Sequence, residues 1–277
     1  MIQKDVNAET INDFFLGKKL YGDDFNEDQL KIWWEEEREG YSRIVASRQD
    51  EYRYQYHALN RFHLFRHVRI PLGAHALGLG SAFGYEFLPI IDRLSKVTII
   101  EPSEKFKQKT VLKGIAFEYR KPRIDGQLEF PENHFQLAIS MGVLHHIANV
   151  SAVLREIYRC LAPDCYMLIR EPIVTQGDWR NSRNGLTKNE RGIPYGLFQE
   201  ILLNIGFRIE YCSLFDFTPF TRAMAMLGKS AFNSSFATLI DWLLSRLFSF
   251  NTKYHRTRLI ERFGPASVAI VACKPVL

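Results

Sequence analysis

The sequence predicts an α/β protein built on an open, doubly wound, mostly parallel sheet with helices on both faces. Three observations predict it. Apolar strand-like runs alternate with helix-like runs from residue 74 onward. The first run ends on the glycine turn Leu77-Gly78-Leu79-Gly80-Ser81-Ala82-Phe83-Gly84. The second, Val97-Thr98-Ile99-Ile100, ends on Glu101, 21 residues after Gly80. A glycine turn between strand and helix lets the backbone approach a nucleotide closely. A carboxylate at the tip of the next strand can accept both ribose hydroxyls. The spacing therefore points to an adenosine-containing cofactor.

The elements follow in order. Residues 1–70 read as a helical N-terminal segment, because Ile11, Phe14 and Phe15, then Leu30, Trp33 and Trp34, recur at helical spacing among charges. Residues 41–69 are rich in Arg, Tyr and His, and Pro71 and Gly73 close the segment. Strand one is expected at 74–79 with its helix at 85–94, and strand two at 97–101 with a short helix at 104–113. Strands three and four fall at 117–120 and 135–141. A helix at 151–160 leads to strand five at 166–170. A helix at 197–204, stopped by Gly206, leads to strand six at 207–217, and 266–273 is the last, buried strand. Between the last two strands lies an insertion of roughly 45 residues, where connections of about 2–6 are usual. Its centre, 236–248, is a strongly apolar helix. It suits either a helix packed over the substrate cleft or a basic, aromatic-bearing helix at a membrane surface.

Composition narrows the class. A hydrophobic content of 46% and a charged content of 24% are those of a globular protein able to bury a full core. Cys160, Cys165, Cys212 and Cys273 are scattered without a C-x-x-C pair, so they read as buried apolar residues in a reducing compartment, with no metal site expected. No signal-peptide core and no apolar run of membrane-spanning length is present, which predicts a cytoplasmic protein. The net charge of +5 is uneven: residues 218–264 hold seven basic residues against Asp241 and Glu261, whereas the first 39 residues are acidic. That polarity allows peripheral membrane contact through 218–264. A nucleic-acid partner is not expected, because the net charge is modest and no RNA-binding module is visible.

The glycine turn alone leaves nicotinamide dinucleotides and S-adenosylmethionine open. Downstream, Leu128-Glu129-Phe130-Pro131-Glu132-Asn133-His134-Phe135 is followed by Gly142-Val143-Leu144-His145-His146-Ile147. Then comes Leu154-Arg155-Glu156-Ile157-Tyr158-Arg159-Cys160-Leu161-Ala162-Pro163. This pattern resembles the class I S-adenosylmethionine-dependent methyltransferases, in the group that includes quinone, sterol and small-molecule methyltransferases. The resemblance covers about residues 74–174, and the C-terminus by topology. It implies a Rossmann-like sheet of seven strands with an antiparallel last strand over 71–277. The helical segment 1–70, with Tyr52, Tyr54, Tyr56 and His57, is read from its residues as a lid over the substrate cleft. The resemblance implies S-adenosylmethionine as cofactor, with Gly78 and Gly80 beneath its amino-acid part. Glu101 would take the ribose hydroxyls, Pro102 the adenine side, Asp125 the adenine amino group, Gly126 backbone contacts, and Met141 the region of the sulfonium. The sequence departs from the pattern at Ala76, Ala82 and Pro163-Asp164-Cys165. These departures bear on cofactor affinity and leave room for a non-catalytic assembly module.

Methyl transfer needs a nucleophile held close and collinear, and a hydroxyl acceptor must also lose a proton. His145, after strand four, is the first candidate base, and Glu171, at the tip of strand five, the second. The polar segment 178–192 follows strand five, and its Arg180, Arg183 and Arg191 are candidate substrate ligands, since arginine binds phosphate or carboxylate bidentately. The expected activity is O-methylation of a small polar, sugar or glycan-like acceptor, with a lipid-linked one included. An RNA methyltransferase is the alternative enzyme.

Overall fold

A computed structural model of the protein describes residues 8–40, 51–107 and 111–276. The helices are α1 (Ala8–Phe15), α2 (Glu27–Glu37), α3 (His57–His63), α4 (Val150–Cys160), α5 (Tyr195–Ile205), α6 (Thr218–Met226) and α7 (Ser235–Leu247). The strands are β1 (Ala74–Leu79), β2 (Leu94–Ile100), β3 (Val111–Leu112), β4 (Ile115–Arg120), β5 (Phe135–Met141), β6 (Leu161–Pro172), β7 (Arg208–Phe217) and β8 (Pro265–Lys274). Among the described residues these strands form one sheet in the order β3-β4-β2-β1-β5-β6-β8-β7. From β4 to β6 neighbouring strands are parallel, and β8 runs antiparallel between β6 and β7. The fold class is the expected one.

Strand alternation places the core on both faces. Leu77 and Leu79 of β1, and Val268, Ile270 and Ala272 of β8, face the cluster that includes α4 and α5. Ala76, Leu137, Ile139, Ala269 and Val271 face the opposite cluster, with Phe87 and Ile91. Side chains two apart share a face, and burial of both faces explains why these strands read as nearly unbroken apolar runs. Helix α4 buries Val150, Val153, Leu154, Ile157 and Cys160, a single stripe at helical spacing. Helix α5 stops at Gly206, whose φ of 112° suits glycine.

Three local expectations change. The segment after the glycine turn is a 3₁₀ helix, Tyr85–Arg93, because Pro89 inside it lacks the N–H an α-helix requires. The helix expected at 104–113 is a 3₁₀ turn, Glu104–Phe106, followed by β3, with 108–110 outside the described residues. There Lys113 and Gly114 both take positive φ, 47° and 83°, which folds β3 back on β4 as a tight hairpin. This adds an eighth strand to the expected seven.

The N-terminal helices pack on the loop after β5. Phe14, Tyr21 and Trp33 cluster with Ala148 and Trp179. Asp23 accepts from the Ser151 amide at 2.7 Å and its hydroxyl at 2.5 Å, capping the first turn of α4 from a distance in sequence. Part of the segment 41–69 lies outside the described residues, at 41–50.

The insertion contains α6 and α7. Asp241, fully buried, accepts from the amides of Asp216 and Phe217 at 2.8 Å each and so pins α7 to the end of β7. Helix α7 buries Ala237, Thr238, Asp241 and Ser245 and leaves Phe236, Leu239, Leu243 and Leu247 exposed. Its apolar stripe thus faces outward. Among the described residues no helix is long and apolar enough to cross a membrane.

Candidate cofactor and acceptor site

The carboxyl ends of β1, β2, β5 and β6 meet along one edge of the sheet. At the end of β1, Gly80 has a φ of 58°, and a Cβ there would come within 2.6 Å of Val143. Only glycine keeps the turn this close to the loop after β5. Ala82 holds a left-handed φ of 44°, and its amide donates to Glu101 Oε2 at 3.2 Å. The Ser103 amide donates to Oε1 at 3.1 Å, so two backbone donors orient the carboxylate. Burial pushes the pKa of Glu101 up to about 7.

Three adjoining cavities follow this edge. The first, about 120 Å³, is an apolar slot between Trp33 and Trp34 of α2 and Pro102, Ile124 and Gly126. The second, about 110 Å³, brings the polar groups of Glu101, Ser81, Glu86, Tyr54 and Arg170 to a largely apolar wall. The third, about 300 Å³, is lined by Tyr56, Met141, Gly142, Arg170, Glu190 and Phe232. Gly80, Pro102 and Val143 are common to the first two cavities, and Met141, Gly142 and Arg170 to the last two. His146 borders all three. Trp33 donates from Nε1 to the His146 carbonyl at 2.7 Å, so α2 roofs the slot through a direct bond to its floor.

Of the residues expected to hold the cofactor, Gly80, Glu101, Pro102, Gly126 and Met141 line these cavities. Gly78 and Asp125 do not. Gly78 lies within β1. Asp125 is exposed and bonded to Arg123 at 2.7 Å.

His145 and Glu171 come together as a buried pair. Glu171 accepts from the amides of Val143 and Leu144 at 2.8 Å each, and pairs with His145 Nδ1 at 2.6 Å. Burial alone would raise its pKa, yet the charge of His145 and these bonds hold it below the usual carboxylate range. Burial works against a charged His145, but Glu171 and Glu190 outweigh it and lift its pKa to about 9. The pair fixes the loop after β5, since Glu171 holds both the His145 ring and the amides of Val143 and Leu144.

The three arginines expected to bind substrate line none of the cavities. Arg180 is tied to Asp178 at 2.6 Å. Arg183 donates to the carbonyls of Thr175, Thr187 and Lys188 at 3.3 Å each. Arg191 is fully buried and donates to the carbonyls of Tyr21, His145 and Ile147 at 2.8, 3.0 and 2.8 Å. It staples the N-terminal segment to the loop after β5.

A buried cation does enter two of the cavities: Arg170, near the end of β6. Only 9% exposed, it lies 3.9 Å over the ring of Tyr56, and its Nε has no partner. Glu86 accepts from Ser81 Oγ at 2.5 Å, and burial pushes its pKa up to about 7. Neither residue was marked by sequence reasoning. The signal for Arg170 was a charge directly after the apolar run Tyr166-Met167-Leu168-Ile169, within the same strand.

Residues 77–169 match a family model described as a methyltransferase domain. The chain thus carries a methyltransferase domain over these residues. The cofactor of such a domain is S-adenosylmethionine, and a flat apolar slot beside a buried carboxylate fits its adenosine. Two solved structures share the fold of this chain. One is a candidate methyltransferase in complex with the Haloferax volcanii Trm112 methyltransferase activator: TM-score 0.51, 14% identity, covering 90% of this chain and 95% of that one. The other is a candidate S-adenosylmethionine-dependent methyltransferase of Listeria monocytogenes: TM-score 0.50, 15% identity, covering 76% and 95%. The chain is also 36% identical over 76 residues to the hybrid PKS-NRPS synthetase ucsA of an Acremonium species. That stretch is 27% of this chain and 2% of the synthetase.

Proposed function

We propose that this protein transfers the methyl group of S-adenosylmethionine to an oxygen of a small polar acceptor that carries an anionic group, a sugar acid or phosphorylated glycan being the type. The observation that carries the reading is Arg170, a buried guanidinium with an unpartnered Nε on a polar cavity beside Met141. Glu101 binds the ribose hydroxyls, Pro102 and Gly126 border the adenine, and Gly80 admits the cofactor backbone. Glu86 and Ser81 stand in for the acid replaced by Ala76 at the amino-acid end. Helix α2 and the Tyr54–Tyr56 stretch form the lid. When bound, S-adenosylmethionine would supply an activated methyl group for the acceptor oxygen, which would give up its proton. The chain's part is to hold the acceptor oxygen in line and exclude water from the lidded cleft.

The test is transfer of labelled methyl to a panel of anionic and neutral sugars, nucleotide sugars and lipid-linked glycans. Arg170→Ala is expected to raise KM for anionic acceptors about 10- to 100-fold, the loss of one charge-assisted contact. KM for neutral acceptors should stay level. Equal losses on both classes would remove the anion from the reading.

The outward apolar stripe of α7 favours a further element, a membrane-surface contact. Exposed Met226, Leu227, Phe250, Leu259 and Ile260 accompany the stripe, with exposed Arg222, Lys229, Arg246, Arg258 and Arg262 in the same insertion. Apolar side chains flanked by cations suit an anionic lipid surface. Phe232, just before α7, lines the acceptor cavity, so a lipid-linked acceptor lies within reach of the same insertion. Co-sedimentation with phosphatidylglycerol vesicles, but not phosphatidylcholine vesicles, is expected. The double substitution Leu243→Asp with Leu247→Asp should abolish it.

A further inference from the structure

One wall of the acceptor cavity holds a cluster that the methyltransferase reading does not use. His145, His146 and Glu190 each place a ligand atom within 4.8 Å of the others. We infer that these three residues bind one divalent transition-metal ion, of the class that two imidazoles and one carboxylate hold with open positions.

The fold assembles the set from two separate segments. Both histidines sit on the 3₁₀ turn Leu144–His146 after β5, with rings 4.1 Å apart. Glu190 comes from the long loop after β6. It is delivered there by its neighbour Arg191, whose amide and guanidinium both bind the His145 carbonyl, at 3.2 and 3.0 Å. The anchoring noted above thus has a consequence: it brings a carboxylate to two imidazoles.

Each ligand is oriented from behind. Glu171 holds His145 Nδ1, which leaves Nε2 pointing at Glu190 Oε1, 3.5 Å away. That gap is too long for a good hydrogen bond. It is close to the separation of two ligands that each lie about 2.1 Å from one tetrahedral ion. His146 Nδ1 is held by Glu37 Oε2 at 3.2 Å and Thr187 Oγ1 at 3.0 Å. Glu190 accepts from the Thr187 amide and from Gln176 Nε2, at 3.1 Å each. A carboxylate behind each ligating imidazole is the arrangement that fixes ring orientation in metal centres. Three carboxylates, Glu37, Glu171 and Glu190, converge on the two rings, so a dication at the centre is favoured by charge.

All three residues line the cavity that also contains Met141, Gly142 and Arg170. Open positions on the ion therefore face the space assigned to the acceptor. An acceptor hydroxyl or carboxylate oxygen bound there would be oriented and made more acidic. This role rests on the methyl-transfer reading; the binding of the ion does not.

Chelator-treated full-length protein, without cofactor or acceptor, should bind Zn(II) at about one equivalent in a calorimetric titration. Co(II) should give the visible absorption bands of a four- or five-coordinate site. Glu190→Gln and His146→Ala should each weaken Zn(II) at least 10-fold, with circular dichroism verifying the fold. Folded wild-type protein that binds neither ion, or affinity unchanged in both variants, would overturn the site and leave His145 and Glu190 as a buried ion pair. Binding of S-adenosylhomocysteine, measured separately on the same metal-free protein, tests the cofactor reading. Failure of one inference therefore does not register as failure of the other.

Discussion

Arg191→Met should lower the unfolding free energy by about 3–5 kcal/mol, the range for removing one partner of a buried charge network. The side chain is fully buried, and its guanidinium serves the carbonyls of Tyr21, Leu144, His145, Ile147 and Ala148. Methionine fills a similar volume, so the loss is not a cavity effect. The orphaned carbonyls are what cost, because buried acceptors without partners forfeit their hydration. In thermal unfolding the midpoint should fall by about 10 °C. S-adenosylhomocysteine should also bind more weakly, because the loosened residues His146 to Ala148 line the apolar slot. A midpoint within a degree or two of wild type would show that water replaces the guanidinium and that the staple is not needed.

Glu101→Ala should weaken S-adenosylhomocysteine about 100-fold in calorimetric titration, the equivalent of about two charge-assisted hydrogen bonds. NAD should not bind to either protein. The wild-type affinity should also depend on pH with a definite sign. Burial places the Glu101 pKa at about 7 in the free protein. The ionised form is the better acceptor for two hydroxyls, so affinity should fall as pH drops below about 7. In Glu101→Gln that dependence should disappear. An alanine variant with unchanged affinity would detach Glu101 from the ribose.

The strand assignments from sequence held where both faces of the sheet bury the strand, as in β1 and β5, because a nearly continuous apolar run leaves few alternatives. They failed where a short local signal governed. Lys113-Gly114 bends back a two-residue strand that has no apolar pattern of its own. Pro89 converts an amphipathic run to a 3₁₀ helix without changing which residues it buries. Within the site, Glu101 and Gly80 could be read because glycine and acid must stand at fixed distances along neighbouring parallel strands. Arg180, Arg183 and Arg191 were misread because density of charge along a loop does not say which way the side chains turn.

The cofactor fold and the edge of the sheet where the cofactor belongs were therefore determined by the sequence alone, through period-2 burial and the spacing of turn and carboxylate. The acceptor end was decided only in three dimensions. Arg170 and Glu86 are buried charges whose neighbours come from Tyr54, Tyr56 and Ser81, and His145, His146 and Glu190 meet across some 45 residues of chain. The orientation of α7 was also invisible in one dimension. Its buried face is the polar one, because Asp241 satisfies two backbone amides at the end of β7 and draws that side inward. Periodicity reports that a helix has two faces; which of them meets the protein depends on hydrogen-bond donors brought from elsewhere in the chain.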